Sequence, residues 1–123
     1  MDSYIVKCDS NIALDILQDR SVSSVMGIYA ESILPDFEWW IIDSILLLAL
    51  KPIGRNIEAH IACKFKDRHL VREAIQNGLQ WLKLRGFENV IAPVPDSRKA
   101  LVNMLINFNF VRVEDGKWLC KLR

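Results

Sequence analysis

The apolar positions of this chain repeat with two periods, one of about two residues and one of about 3.6, and the switches between them lay out the predicted elements. Tyr4 to Cys8 (YIVKC) is short, aromatic and β-branched, as a strand is, and Asp9-Ser10-Asn11 then offers side-chain oxygens able to cap a helix. Ala13, Ile16 and Leu17 follow at helical spacing. A second helix is predicted from Ser21 or Ser23, with Val22, Val25, Met26, Tyr29 and Ile33 on one stripe; Pro35 ends it because proline has no N–H for the ladder. Glu38 to Leu50 is aromatic, β-branched or Leu apart from Asp43-Ser44, which predicts two antiparallel strands and a tight turn. Leu46 to Leu50 taken alone is equally compatible with a helix.

Pro52-Ile53-Gly54-Arg55 is a turn signal, after which Ile57, Ala59, Ile61, Cys63 and Phe65 alternate with Glu58, His60, Ala62 and Lys64. A long helix is predicted over residues 67–85, its stripe being Val71, Ala74, Ile75, Gly78, Leu79 and Leu82, with Gly86 as its stop. Asn89 to Val94 reads as a buried strand. Pro95-Asp96-Ser97 leads into a last helix marked by Leu101, Met104, Leu105 and Phe108. Phe110 to Val113 and Lys117 to Leu122 flank Glu114-Asp115-Gly116 as a closing hairpin. The order is β-α-α-β-β-β-α-β-α-β-β, an α/β (α+β) pattern without repeats or linkers, and 123 residues fit one domain spanning 1–123.

Composition narrows the function classes. An apolar fraction of 51% with 25% charged residues belongs to a folded globular chain rather than a disordered one. Sixteen Lys and Arg against 15 Asp and Glu leave a net charge of +1, so no global field draws the protein to nucleic acid or to an anionic membrane. The longest apolar run, Ile41 to Leu50, falls short of the ~20 residues of a spanning helix, and the first residues lack the pattern of a signal peptide. Cys8, Cys63 and Cys120 are odd in number and widely spaced, which predicts reduced thiols, no metal site and a reducing compartment such as the cytoplasm.

The text from Asn56 to Phe110 carries a resemblance. Asn56-Ile57-Glu58-Ala59-His60-Ile61, then Lys66-Asp67-Arg68 and the long helix, then Val90-Ile91-Ala92-Pro93-Val94-Pro95, and finally Asn109-Phe110 resemble the GNAT (GCN5-related N-acetyltransferase) superfamily. The resemblance implies a mixed, mostly antiparallel sheet with helices on both faces, in which the strands at Ile57–Phe65 and Asn89–Val94 are parallel neighbours that splay apart. It implies acetyl-CoA or CoA as the carrier, held by backbone groups of Ala62, Cys63 and Phe65, by the turn and helix start at Arg68, His69, Leu70, Val71 and Arg72, and by Ser97 near the pantetheine arm. The family's turn carries glycines that let phosphates reach the backbone, and Arg68-His69-Leu70-Val71-Arg72 has none. Arg68 and Arg72 can replace them by direct phosphate contact or be ordinary solvated charges.

Glu58 stands where some GNAT enzymes draw a general base, and His60, two residues on, shares its strand face. The alternative for Glu58 is an exposed carboxylate bonded to water or to Arg55, and for His60 a structural imidazole. Met104 falls where the family places a Tyr as proton donor. Trp39-Trp40 must face opposite sides of a strand, and Trp81 lies off its helix's main stripe, so all three are candidates for partner or substrate contact as well as for core. The chain is also similar to small GNAT-like proteins of short-tailed enterobacterial phages, some of them head-assembly factors. Missing glycines, a missing proton donor and three tryptophans together lead to an expected binding or assembly protein with a protein partner, in a phage-infected bacterial cytoplasm. The competing expectation is an acetyl-CoA-dependent N-acetyltransferase with Glu58 as base.

Overall fold

A computed structural model of the chain describes residues 5–17, 37–63 and 69–122. The helix predicted between Ser21 and Ile33, and the candidate residues Phe65 and Arg68, lie outside these. The elements are β1 (Ile5–Lys7), α1 (Ser10–Leu17), β2 (Glu38–Ile42), β3 (Leu46–Ile53), β4 (Asn56–Cys63), α2 (Val71–Leu84), β5 (Asn89–Ala92), α3 (Lys99–Asn107), β6 (Val111–Glu114) and β7 (Lys117–Lys121). They form a seven-stranded sheet ordered β1-β2-β3-β4-β5-β7-β6. Only β4 and β5 run parallel; every other neighbouring pair is antiparallel. This is the expected mixed sheet, with helices on both faces.

Leu46 to Leu50 are strand, and each of the five is buried. Leu has a good helix propensity, but β3 lies between β2 and β4 with both faces covered, and a central strand of that kind reads as a continuous apolar run. Leu46, Leu48 and Leu50 enter a core with Ile57, Val90, Val71, Ala74, Leu82 and Leu105, beneath α2 and α3. Leu47 and Ala49 enter a second core on the opposite face with Trp39, Ile41, Ala62 and the α1 residues Ala13 and Ile16. Burying one such side chain fully contributes about 1.5–3 kcal/mol. The β2–β3 turn closes with the Ile45 amide donating to the Ile42 carbonyl at 3.0 Å, and both central residues, Asp43 and Ser44, have positive φ (53° and 62°). Those are the backbone angles that suit a two-residue hairpin to strand twist.

The long helix is shorter than its predicted 67–85. A 3₁₀ turn at His69 and Leu70 leads into α2. Its C-terminus is closed by the Gly86 amide donating to Lys83 and the Phe87 amide donating to Leu82, with Gly86 at φ 94°. Glycine is needed there because the left-handed conformation crowds a Cβ. The end of α3 repeats this arrangement without glycine: the Asn109 and Phe110 amides donate to Ile106 and Leu105, and Asn109 sits at φ 66°. Asn tolerates that conformation better than other side chains. β5 stops at Ala92 rather than at Val94, and α3 starts at Lys99 rather than near Ser97. Pro93 and Pro95 have no N–H to extend the ladder, and the Arg98 amide is taken by the Pro95 carbonyl.

Candidate active site

The parallel pair is brief. Asn56, Ile57 and Glu58 align with Asn89, Val90 and Ile91, and at the start of this pairing the Asn89 side-chain amide donates to Asn56 Oδ1 at 2.8 Å. Beyond Glu58, β4 runs on to Cys63 paired only to β3, while β5 ends at Ala92. The two strands therefore part just past Glu58, and the β4 edge toward β5 carries backbone groups that the sheet does not use.

Strand alternation puts Glu58, His60 and Ala62 on the α1 face, and Ala62 is buried there. Glu58 and His60 form a pair: His60 Nε2 lies 2.9 Å from Glu58 Oε2, with the two side chains 19% and 26% exposed, His60 first. A carboxylate accepts and does not donate, so Nε2–H is the donor in this contact. Arg55, a possible partner for Glu58 on sequence grounds, bonds Glu88 instead (Nη1 to Oε1, 3.1 Å), while the Glu88 amide donates to the Arg55 carbonyl.

Two residues that sequence reasoning passed over complete this surface. The Phe37 ring meets His60 edge-on, with centroids 5.1 Å apart and planes at 83°. The Lys51 ammonium lies 5.9 Å from the centre of the Phe37 ring. Lys51 is also the residue directly opposite Glu58 in the β3–β4 register. Alternation from Trp39 placed Phe37 on this face, but only the hairpin register could bring Lys51 beside Glu58.

Among the expected carrier-binding residues, Cys63 is half-buried at the end of β4, and His69, Leu70 and Arg72 are exposed around the start of α2. Val71 points into the core. The N-cap residue of α2, Leu70, makes no side-chain hydrogen bond to the first turn. The N-terminal end of a helix carries a partial positive charge that favours an anion. Ser97 is exposed between β5 and α3, and near it Asp96 Oδ2 accepts from Arg112 Nε at 2.9 Å. Met104 packs half-buried against the core, and a thioether has no proton to give.

The tryptophans divide as strand alternation requires. Trp39 is buried beneath α1. Trp40 and Trp81 pack on the α2 face, with centroids 4.8 Å apart and planes at 61°, and the Arg85 guanidinium lies 5.2 Å and 4.7 Å from their respective ring centres. All three rings thus have packing partners within the chain. Cys8, Cys63 and Cys120 are not in disulfides; burial pushes the Cys8 and Cys120 thiols up, and the neighbouring Asp9 charge adds to the rise at Cys8. Among the described residues, no group of three His, Cys, Asp or Glu side chains could hold a metal ion, and no helix is long and apolar enough to cross a membrane.

No protein-family model matches the chain, and no curated protein matches it by sequence. Its fold, however, recurs among solved structures. The PaiA N-acetyltransferase of Thermoplasma acidophilum, solved in complex with coenzyme A, is similar with a TM-score of 0.72 at 16% identity, over 98% of this chain and 99% of its own. A GNAT-family acetyltransferase from Staphylococcus aureus Mu50 gives 0.72 at 9% identity over 98% and 99%. A second N-acetyltransferase from the same source gives 0.66 at 12% identity over the whole of both chains. The chain therefore has the GNAT acetyltransferase fold.

These likenesses correct one expectation. The binding or assembly reading, with its phage head and virion partner, gives way to its competitor, because the similar structures named above are acetyltransferases. Backbone amides, which every residue but proline supplies, can bind phosphate where glycines are missing.

Proposed function

We propose that the protein is an acetyl-CoA-dependent N-acetyltransferase in which Glu58 is the general base for an acceptor amine. The observation that carries this reading is the place of the Glu58–His60 pair, at the last matched residue before β4 and β5 separate. The carrier fits the residues present: the unpaired β4 edge offers backbone groups to an amide-containing arm, and the start of α2, with His69 and Arg72 exposed, offers amides and positive charge to a pyrophosphate. When bound, acetyl-CoA supplies an acetyl group activated as a thioester.

An acceptor amine is protonated at neutral pH and must lose a proton before it can attack. The carboxylate of Glu58, set in a half-buried surface, takes that proton directly or through one water. His60 holds one carboxylate oxygen, Oε2, by its Nε2–H, which leaves the other for the acceptor, while the Phe37 ring packs against the imidazole. Three cysteines outside any disulfide support a reducing compartment such as the cytoplasm.

The test is an amine-acetylation assay with acetyl-CoA on wild type and Glu58→Gln. Gln keeps an acceptor for His60 and so preserves packing, but it cannot take a proton. We expect kcat/KM to fall by about 10²–10⁴-fold. Undiminished turnover in Glu58→Gln would remove Glu58 from the reaction, and a wild type inert toward every amine would remove the acetyltransfer reading itself.

A further inference from the structure

Lys51 and Glu58 are a matched cross-strand pair of opposite charge, and they do not bond to each other. Directly opposed residues of an antiparallel pair have Cβ atoms about 4.5–5.5 Å apart, close enough for a lysine and a glutamate to meet. Here each turns to an aromatic ring instead. Glu58 Oε2 is held by His60, and the Lys51 ammonium lies against the face of Phe37. No ion pair links Lys51 to a carboxylate among the described residues. His60 and Phe37 touch each other, so the two anchors form one unit that keeps the charges separated. On the other side of Glu58, Ile91 is its register partner in β5 and is half-buried.

We infer that the acceptor is an aminocarboxylate, an amino acid with its α-amine free, whose carboxylate is read by Lys51 while its amine is presented to Glu58. The inference rests on the acetyltransfer reading above and adds the acceptor's class. A zwitterion satisfies both split charges at once, and its side chain finds apolar surface at Phe37 or Ile91. A simple alkylamine leaves Lys51 without an anion. A peptide N-terminus places a neutral amide where the carboxylate belongs. Lys51 is exposed, so water screens the contact and the preference it confers is of moderate size.

The experiment compares three acceptor series in the acetylation assay: glycine, leucine and phenylalanine, each beside its amide and its decarboxylated amine (methylamine, isoamylamine, phenethylamine). In at least one series, the free amino acid is expected to exceed both analogues that lack the carboxylate in kcat/KM by about tenfold, the scale of one charge-assisted contact. Lys51→Glu is expected to invert that ratio. Wild type that acetylates the amines or amides as well as the amino acids overturns the inference while leaving Glu58 as base. Binding of the same amino acids, followed by ligand-observed NMR with CoA present, gives a readout independent of turnover. Amino acids that bind wild type and Lys51→Glu equally, or neither, overturn the inference even if the chemical step fails.

Discussion

Replacing Ile42 by Val and Gly78 by Ala, singly and together, measures how closely α2 is held on the sheet, and hence where the helix start meets β4. Gly78 is buried on α2, and a Cβ built on it would lie 2.9 Å from Ile42 Cδ1, a fully buried methyl on β2. Alanine in a helix interior is favoured over glycine by about 1 kcal/mol. Against that gain, the Ile42 methyl must leave its rotamer, which costs about 0.5–1.5 kcal/mol. Gly78→Ala alone is therefore expected to be near neutral. Ile42→Val alone removes the opposing methyl and should cost about 0.5–1.5 kcal/mol.

Together the two changes fit each other. The alanine methyl enters the space that Cδ1 vacates, so the helix gain is realised without the clash, and the double variant should lie within about 0.5 kcal/mol of wild type. The resulting coupling is about 1 kcal/mol, stabilising. Urea denaturation read by tryptophan fluorescence is suited to this, since Trp40 and Trp81 pack between β2 and α2. Additive effects, with coupling below about 0.3 kcal/mol, would show that α2 does not approach β2 at Gly78.

Three further outcomes are expected. Ser44→Gly should relieve a non-glycine residue held at φ 62° and, after the added freedom of the unfolded chain, raise stability by about 0.5–1 kcal/mol and Tm by roughly 2–5 °C; an unchanged or lower Tm would contradict the turn geometry. Asn109→Gly should be tolerated at the end of α3, whereas Asn109→Val, with a β-branched side chain in the left-handed region, should cost about 1–2 kcal/mol in urea denaturation; equal stabilities would refute the closing geometry there. Burial, with Asp9 beside Cys8, raises the Cys8 and Cys120 thiols in the folded state, so their contribution to stability is present in full below the ordinary thiol pKa and is lost as pH rises through the folded values. The urea midpoint of wild type should fall more steeply between about pH 8 and pH 10 than that of Cys8→Ala/Cys120→Ala, and parallel curves would refute it.

Much of the fold was legible along the chain because its signals are local. The alternation from Ile57 to Cys63, the α2 stripe closed by Gly86 and the turns at Gly54 and Gly116 each follow from the backbone angles and facing of neighbouring residues. The shared strand face of Glu58 and His60 is of the same kind, since residues two apart in a strand must point the same way. Other features depend on what packs alongside. Leu46 to Leu50 became strand because β2, β4 and two cores enclose it, a fact absent from five apolar letters. Arg55 found Glu88, thirty-three residues on, rather than Glu58. Trp81 found Trp40 across the α2–β2 interface. Lys51 stands opposite Glu58 only through the register of a hairpin, and Phe37 reaches His60 only across the intervening strand. Periodicity is written residue by residue, whereas register and side-chain partnership are settled when distant segments compete for the same neighbours, and the candidate site draws on both: Glu58 and His60 on the first, Lys51 and Phe37 on the second.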